Sequence, residues 1–239
     1  MSEAYQPALI VICGTVPEGP SWSRRAGGAA VGEISVPITW LASPDRLVAV
    51  ATAMTDSPVC HDFAVQIPAS GFESRQRLRS LLARCRETVP ALAAVAVDQA
   101  TASVHRDLLV DEGVRVVLVE RLAAAGRGSR RPAPAGWRCR NAAWSLWEVE
   151  VEPAKPRGPL ARLVGLGMRP RVRRGGLAVL STEGFGSTGA MHPRLQRLIT
   201  WAKRLSDRGE AMTVGLSGLM PRLMGEDQAV LAGSVLRAA

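Results

Sequence analysis

GFESRQRLRSLLARCRETVPALAAVAV, residues 71–97, sets two kinds of order side by side. Leu78, Leu81, Leu82 and Cys85 recur at three- and four-residue steps while Arg75, Arg79 and Arg86 fall off that face, so the first part is an amphipathic helix. Pro90 cannot extend it, because its ring blocks the carbonyl one turn back and its nitrogen has no hydrogen to donate. The run that follows, 91–97, is apolar throughout and has no helical period, which is the pattern of a strand buried on both faces. Helix followed by buried strand is the repeating unit of a parallel α/β sheet.

The same unit is legible outward in both directions. A helix over about 101–112, closed by Gly113 as a C′ residue, leads into the β-branched run 114–120. On the other side, 62–67 reads as a strand, and Ser43 and Pro44 open a helix whose apolar part is 48–54. The run 33–41 (EISVPITWL) is strand-like, and 8–13 is an apolar run too short for a stable helix, hence a buried strand ending at Gly14. Residues 15–32 are a Gly/Pro-rich loop or insertion. Beyond the middle of the chain, 143–151 (AWSLWEVEV) alternates around a local change of register, 176–180 is a strand, 192–207 an amphipathic helix, 212–216 a strand, and the end is helical. No internal repeat interrupts the series. The expectation is a single α/β domain over 1–239, a parallel sheet or barrel.

Composition narrows the function classes. With 239 residues and 47% hydrophobic side chains, the chain can fill one large core. The apolar start is too short for a signal peptide and has no basic residue before it, and no run reaches the roughly 20 apolar residues that span a bilayer. A soluble cytoplasmic protein with no membrane partner is therefore expected. Cys13, Cys60, Cys85 and Cys139 form no CxxC pair, so neither a zinc knuckle nor a dithiol centre is signalled. The formal charge of +9 is unevenly placed. Residues 121–174 carry thirteen Arg and Lys against Glu148, Glu150 and Glu152, a net +10 that supplies the whole excess. Within it, 123–141 is expected to be a basic Gly/Pro/Arg-rich loop. That segment is either a solvated basic face or a site for nucleic acid or another polyanion, and it contains no recognised binding motif.

Several strings resemble the polysaccharide deacetylase family, whose NodB-homology domain is a distorted (β/α) barrel. VPITWL at 36–41 is similar to that family's second strand, commonly IPATFF, and HDFAVQ at 61–66 to its HEIGNH strand. LLVDEGVRVVL at 108–118 resembles its helix-to-strand step. GGLAVLST at 175–182, with HPRLQRLITWAKRLSDRGEAMTVGLSGL at 192–219, resembles its last strand, helix, strand and closing turn. The resemblance implies a single-domain barrel of the NodB type.

It also implies a chemistry that this chain lacks. The family needs one Asp as base, one Asp and two His on a divalent metal, and a further His as acid, because the metal must polarise an acetyl carbonyl and lower the pKa of its water. Where the family has TFDDG, this chain has VICGT at 11–15, with Cys13 at the base position and Gly14 at the metal Asp. The HxxxH pair falls on Gln66 and Ser70, and the LxH motif on Leu180, Ser181 and Thr182. The family's arginine motif should fall near 97–101 (VDQAT), which holds no arginine. His61, His105 and His192 are not at ligand spacing from one another.

The resemblance therefore implies a catalytically degenerate relative with no metal, no cofactor and no catalytic residue, binding a carbohydrate or another small ligand at the barrel mouth. In a barrel of this kind sites are built at the C-terminal ends of the strands. The mouth positions are then Cys13, Gly14, Gln66, Ser70, Asp98, Thr182 and Glu183, with Glu120 beside them. Asp98 reads either as a cap for the following helix or as a pocket carboxylate. Trp137, Arg138 and Arg140 read as ligand or anion contacts, the indole and guanidinium planes suiting sugars or anionic groups. Trp144 and Trp147 read equally as core packing. The alternatives are a polyanion binder through 121–174 and a hydrolase of different chemistry around Cys13, Asp98 and Glu183.

Overall fold

The computed structural model describes residues 7–17, 34–90, 92, 94–97, 105–119, 137–143, 145–154, 172, 174–185 and 190–224. Its strands are β1 (Ala8–Thr15), β2 (Thr39–Ala42), β3 (Asp62–Gln66), β4 (Ala94–Val97), β5 (Val116–Val119), β6 (Cys139–Ala143), β7 (Leu146–Glu150), β8 (Glu152–Pro153), β9 (Leu177–Glu183) and β10 (Ala211–Thr213). Its helices are α1 (Pro44–Ala53), α2 (Arg75–Thr88), α3 (Arg106–Asp111), α4 (Pro193–Asp207) and α5 (Leu216–Met224). The strands join in one sheet in the order β6-β7-β5-β4-β3-β2-β1-β9-β8, with β10 beside β1. Every pairing is parallel except that of β6 with β7.

The sheet curls on itself. β7 and β8 are one stretch of chain divided by Val151, yet β7 pairs with β5 and β8 with β9, at opposite ends of that order. A continuous chain holding both ends draws the sheet into a distorted barrel. β1 is its centre: β9 follows it from Leu9 to Thr15, while its other edge is shared by β10 at Ala8–Ile10 and β2 at Cys13–Thr15.

Alternation along the strands separates two apolar layers. Leu9, Val11, Cys13, Leu41, Ala64, Ala96, Leu118, Val149 and Val179 fill the interior, with Leu216, Leu219 and Leu223 of α5 packed onto them. Ile10, Ile12, Trp40, Val65, Val95, Val117 and Leu180 face outward under the helices, meeting Leu47 and Val50 of α1, Leu78 and Leu82 of α2, Leu108 of α3, and Leu195, Leu198 and Ala202 of α4.

The helices follow local rules with some corrections. Ser74 caps α2, its hydroxyl accepting the N–H of Arg77 at 3.1 Å, and the buried face is the one read from the sequence: Leu78, Leu81, Leu82 and Cys85. Gly113 closes α3 with φ 69°. Ser43 precedes α1, but only its backbone carbonyl is used, accepting from Arg46 and Leu47. The buried face of α1 is Leu47, Val50 and Ala53, whereas Val48, expected inside, is 53% exposed. His105, expected within a helix, stands before α3 in a left-handed conformation (φ 57°), and residues 98–104 lie outside the described ones.

Other boundaries also differ. The strand expected at 33–41 is confined to Thr39–Ala42, and the last strand ends at Thr213 because Leu216 already opens α5. Gly215 has no side chain to cap that helix. Asp62 of β3 does so instead, its Oδ2 accepting the N–H and Oγ–H of Ser217 at 2.9 and 3.0 Å, where a carboxylate also suits the helix dipole. A Cβ at Gly215 would collide with that carboxylate.

The alternating stretch 143–151 is half of an antiparallel hairpin, β6 with β7, with a register shift between Asn141 and Ala143. The loop expected at 123–141 therefore gives way to strand at Cys139, and its residues 123–136 lie outside the described ones.

Candidate functional site

The C-terminal ends of the strands bring Thr15, Ala42, Gln66, Val97, Val119 and Glu183 to one rim of the barrel. Thr15 stands opposite Leu41 on one side and Glu183 on the other. Each expected mouth residue has a distinct setting there.

Cys13 lies below the rim in the apolar interior and is fully buried. Burial pushes its thiol up to about 12, with the nearby Asp62 carboxylate adding to the effect. A nucleophilic cysteine needs the reverse, a depressed pKa that yields thiolate at neutral pH. Gly14 faces the outer layer. An added Cβ would stand 2.7 Å from Cζ3 and 2.9 Å from Cε3 of Trp40, so the indole holds the space of any side chain at this position. Trp40 is itself wedged: its ring lies against Gly184, stacks on Phe185 at 4.9 Å and meets His61 edge-on at 6.0 Å.

Gln66 is exposed at the end of β3, and Ser70 lies on the 3-10 turn Ala69–Phe72 that follows. Asp98 and Glu120 lie outside the described residues. Thr182 shares the outward face of Leu180 and is buried, and its carbonyl accepts the Thr15 hydroxyl at 3.1 Å. Glu183, two residues beyond Ser181 on the interior-facing register, is an exposed acid at the rim.

Glu183 has a partner that the sequence did not suggest. Its Oε2 lies 3.0 Å from Nε2 of His192. Nδ1 of the same ring accepts the N–H of Arg194 at 3.2 Å and so caps α4. A nitrogen that accepts carries no hydrogen, so Nε2 is the donor and points it at Glu183. The His192 N–H also binds the Gly184 carbonyl at 2.9 Å. The expected helix start at His192 is correct, and its cap is what presents the ring to the rim.

His61 invites another reading, since Ser57 Oγ lies 2.8 Å from its Nε2. The Ile38 N–H, however, donates to Nδ1 at 3.2 Å. The hydrogen is therefore on Nε2, where it is donated to Ser57 rather than taken from it, and the pair is not an activated serine. Burial lowers the pKa of this ring and keeps it neutral. Among the described residues, no three His, Cys, Asp or Glu side chains are grouped to hold a metal ion.

The aromatic and basic candidates lie on the β6–β7 hairpin and its approach. Trp137 donates its indole N–H to the Gly175 carbonyl at 2.9 Å and packs against the interior cluster. Arg138 pairs with Glu150 at 3.0 Å and Glu152 at 2.7 Å. Arg140 is directly across the ladder from Glu148 and bonds to its Oε2 through Nε. Glu148, only 1% exposed, also receives Arg106 of α3 at 2.6 Å, a buried Arg-Glu-Arg arrangement that ties helix to hairpin. The acids of the basic segment are thus taken up by cations around them. Its remaining cations, apart from Arg174, lie outside the described residues. Trp147 is buried in the interior cluster, and Trp144 is not described.

No protein-family model and no curated protein matches the sequence. Solved structures do match. A candidate polysaccharide deacetylase from Mycobacterium smegmatis aligns with 95% of this chain and 93% of its own at 14% identity, with a TM-score of 0.50. A family 4 carbohydrate esterase from Streptomyces lividans aligns with 88% of this chain and 92% of its own at 9% identity and a TM-score of 0.48. A pseudoenzyme of the same esterase family from Bacillus anthracis aligns with 90% of this chain and 66% of its own at 12% identity and a TM-score of 0.47. At these identities the likeness is one of fold, and the first alignment carries it: the chain has the distorted barrel of the polysaccharide deacetylases, as the resemblance implied. No helix among the described residues is long and apolar enough to cross a membrane.

Proposed function

We propose that this chain is a divergent, catalytically degenerate relative of the polysaccharide deacetylases, a cytoplasmic protein that binds a carbohydrate or other small ligand at the barrel mouth without hydrolysing it. The observation that carries the reading is Gly14. The resemblance assigns it the metal-binding Asp, yet the Trp40 indole stands 2.7 Å from where its Cβ would be. The other assigned positions offer the amide of Gln66 and the hydroxyls of Ser70 and Thr182, which are poor donors for a catalytic zinc beside imidazole and carboxylate. The donor set does not fit the metal.

Cys13 does not rescue catalysis, because its buried thiol is pushed away from the thiolate. This weighs against hydrolysis of a different kind centred there. Arg138 and Arg140 remain contacts for a ligand only if their ion pairs with Glu148, Glu150 and Glu152 exchange for it, and Trp137 only through its ring face, since its N–H is given to the Gly175 carbonyl. A polyanion site within 121–174 is the second reading, favoured by the +10 excess of that segment. It is tested by the salt dependence of binding, since counterion release makes such affinity fall steeply with salt.

The primary test is metal content of the purified chain by elemental analysis, with acetate release from N-acetylglucosamine oligomers in zinc or cobalt. The expected result is no stoichiometric metal, no release, and saturable oligosaccharide binding. Chelator-sensitive release would overturn the proposal.

A further inference from the structure

We propose that Glu183, held by His192, is the anchor for a cationic group on the mouth ligand, so that the ligand is a sugar bearing a free amine rather than an acylated or acidic one. This rests on the ligand-binding reading above and specifies its chemistry.

Glu183 ends β9 on the interior-facing register, level with Thr15 across the β1–β9 ladder. Its side chain is 62% exposed, and among the described residues no Arg or Lys pairs with it. Among the described residues its partner is the Nε2–H of His192. The other nitrogen of that ring accepts the first-turn N–H of α4, so the ring's hydrogen is on Nε2 and points at Glu183. The pair therefore presents a net negative charge with Oε1 left to accept. A neutral donor on one oxygen orients a carboxylate without cancelling its charge, much as outer partners orient the ligands of a metal. Thr15 adds a second acceptor, since its hydroxyl hydrogen is given to the Thr182 carbonyl and its lone pairs remain. An ammonium and a neighbouring hydroxyl on one sugar ring match those two acceptors. His192 is a positioning residue in this scheme, and Glu183 is the contact.

The chain's net charge of +9 makes the preference diagnostic, because general electrostatics repel a cationic oligomer. Calorimetric titration of the full chain would compare the β-1,4-linked trimer of glucosamine, with its amines protonated, against the N-acetylated trimer. The expected result is about tenfold tighter binding of the amine form, the scale of one charge-assisted hydrogen bond at a partly exposed site. Glu183→Gln should abolish the preference for the amine form. His192→Asn keeps an acceptor for the α4 cap but withdraws the ring donor, and should reduce the ratio between the two trimers without altering the melting temperature. Equal binding of the two trimers, or a preference that survives Glu183→Gln, overturns the anchor while the mouth reading stands. Failure of both trimers to bind overturns both.

Discussion

Gly14→Ala should destabilise this protein, although the same change at an open strand position does the reverse. Glycine inside a strand costs about 0.5–1 kcal/mol relative to alanine, because its backbone loses more freedom on folding. Alanine would therefore be favoured if there were room. The Cβ at position 14 would instead lie 2.7 and 2.9 Å from two indole carbons of Trp40 and 3.5 Å from Cγ2 of Ile38. Trp40 cannot yield cheaply, since it is fully buried, stacked on Phe185, edged by His61 and pressed against Gly184. Overpacking of this kind costs about 1–3 kcal/mol, so the net loss lies within about 0–2.5 kcal/mol and centres on about 1 kcal/mol. Gly14→Asp, the residue that the resemblance assigns to this position, should cost more, because a carboxylate would enter the same closed packing without a partner.

Urea unfolding at unchanged slope measures the difference. The control is Gly14→Ala in a Trp40→Leu background, where the ring is gone and the penalty should shrink by a coupling of about 0.5–3 kcal/mol. An alanine variant as stable as the parent would refute the packing argument. So would a penalty of equal size in both backgrounds.

Two further outcomes follow from buried groups. Glu148→Ala leaves the guanidinium groups of Arg106 and Arg140 without their shared counter-charge and should cost about 3–5 kcal/mol in the same titration, whereas Arg138→Ala, at an exposed pair, should change stability by less than about 1 kcal/mol. The Cys13 and Cys139 thiols are both raised from 9.0 to about 12, so the folded state holds protons that the unfolded state releases; their contribution is intact below pH 9 and is lost as pH rises toward 12. Burial raises the Cys85 thiol as well, so Cys13→Ala should reduce rather than remove the alkaline slope, and a stability that rose above pH 9 would reverse the sign of the argument.

What could be read from the chain was whatever depends on neighbours within one turn. The buried faces of α2 and α4, the stop at Pro90, the left-handed Gly113 and the strand identity of β1 all follow from local period and local sterics. The resemblance placed the barrel because strand order survives when individual side chains do not. Where local signals were weak the boundaries moved: Leu47 rather than Val48 faces the core, and the hairpin partner of β7 was hidden in an Arg-rich stretch without an apolar period.

The site was legible only as a set of strand ends. Glu183 could be named from the end of its strand. That its carboxylate is held by His192, that Trp40 occupies the space above Gly14, and that Asp62 caps a helix 155 residues further on depend on register between strands distant in sequence. The sequence by itself determined most of the elements, their order and the residue types available at the rim, because backbone preference and hydrophobic period act over a few residues. Only the tertiary structure decided which side chains meet, because curling the sheet brings strands together at separations that no local pattern encodes.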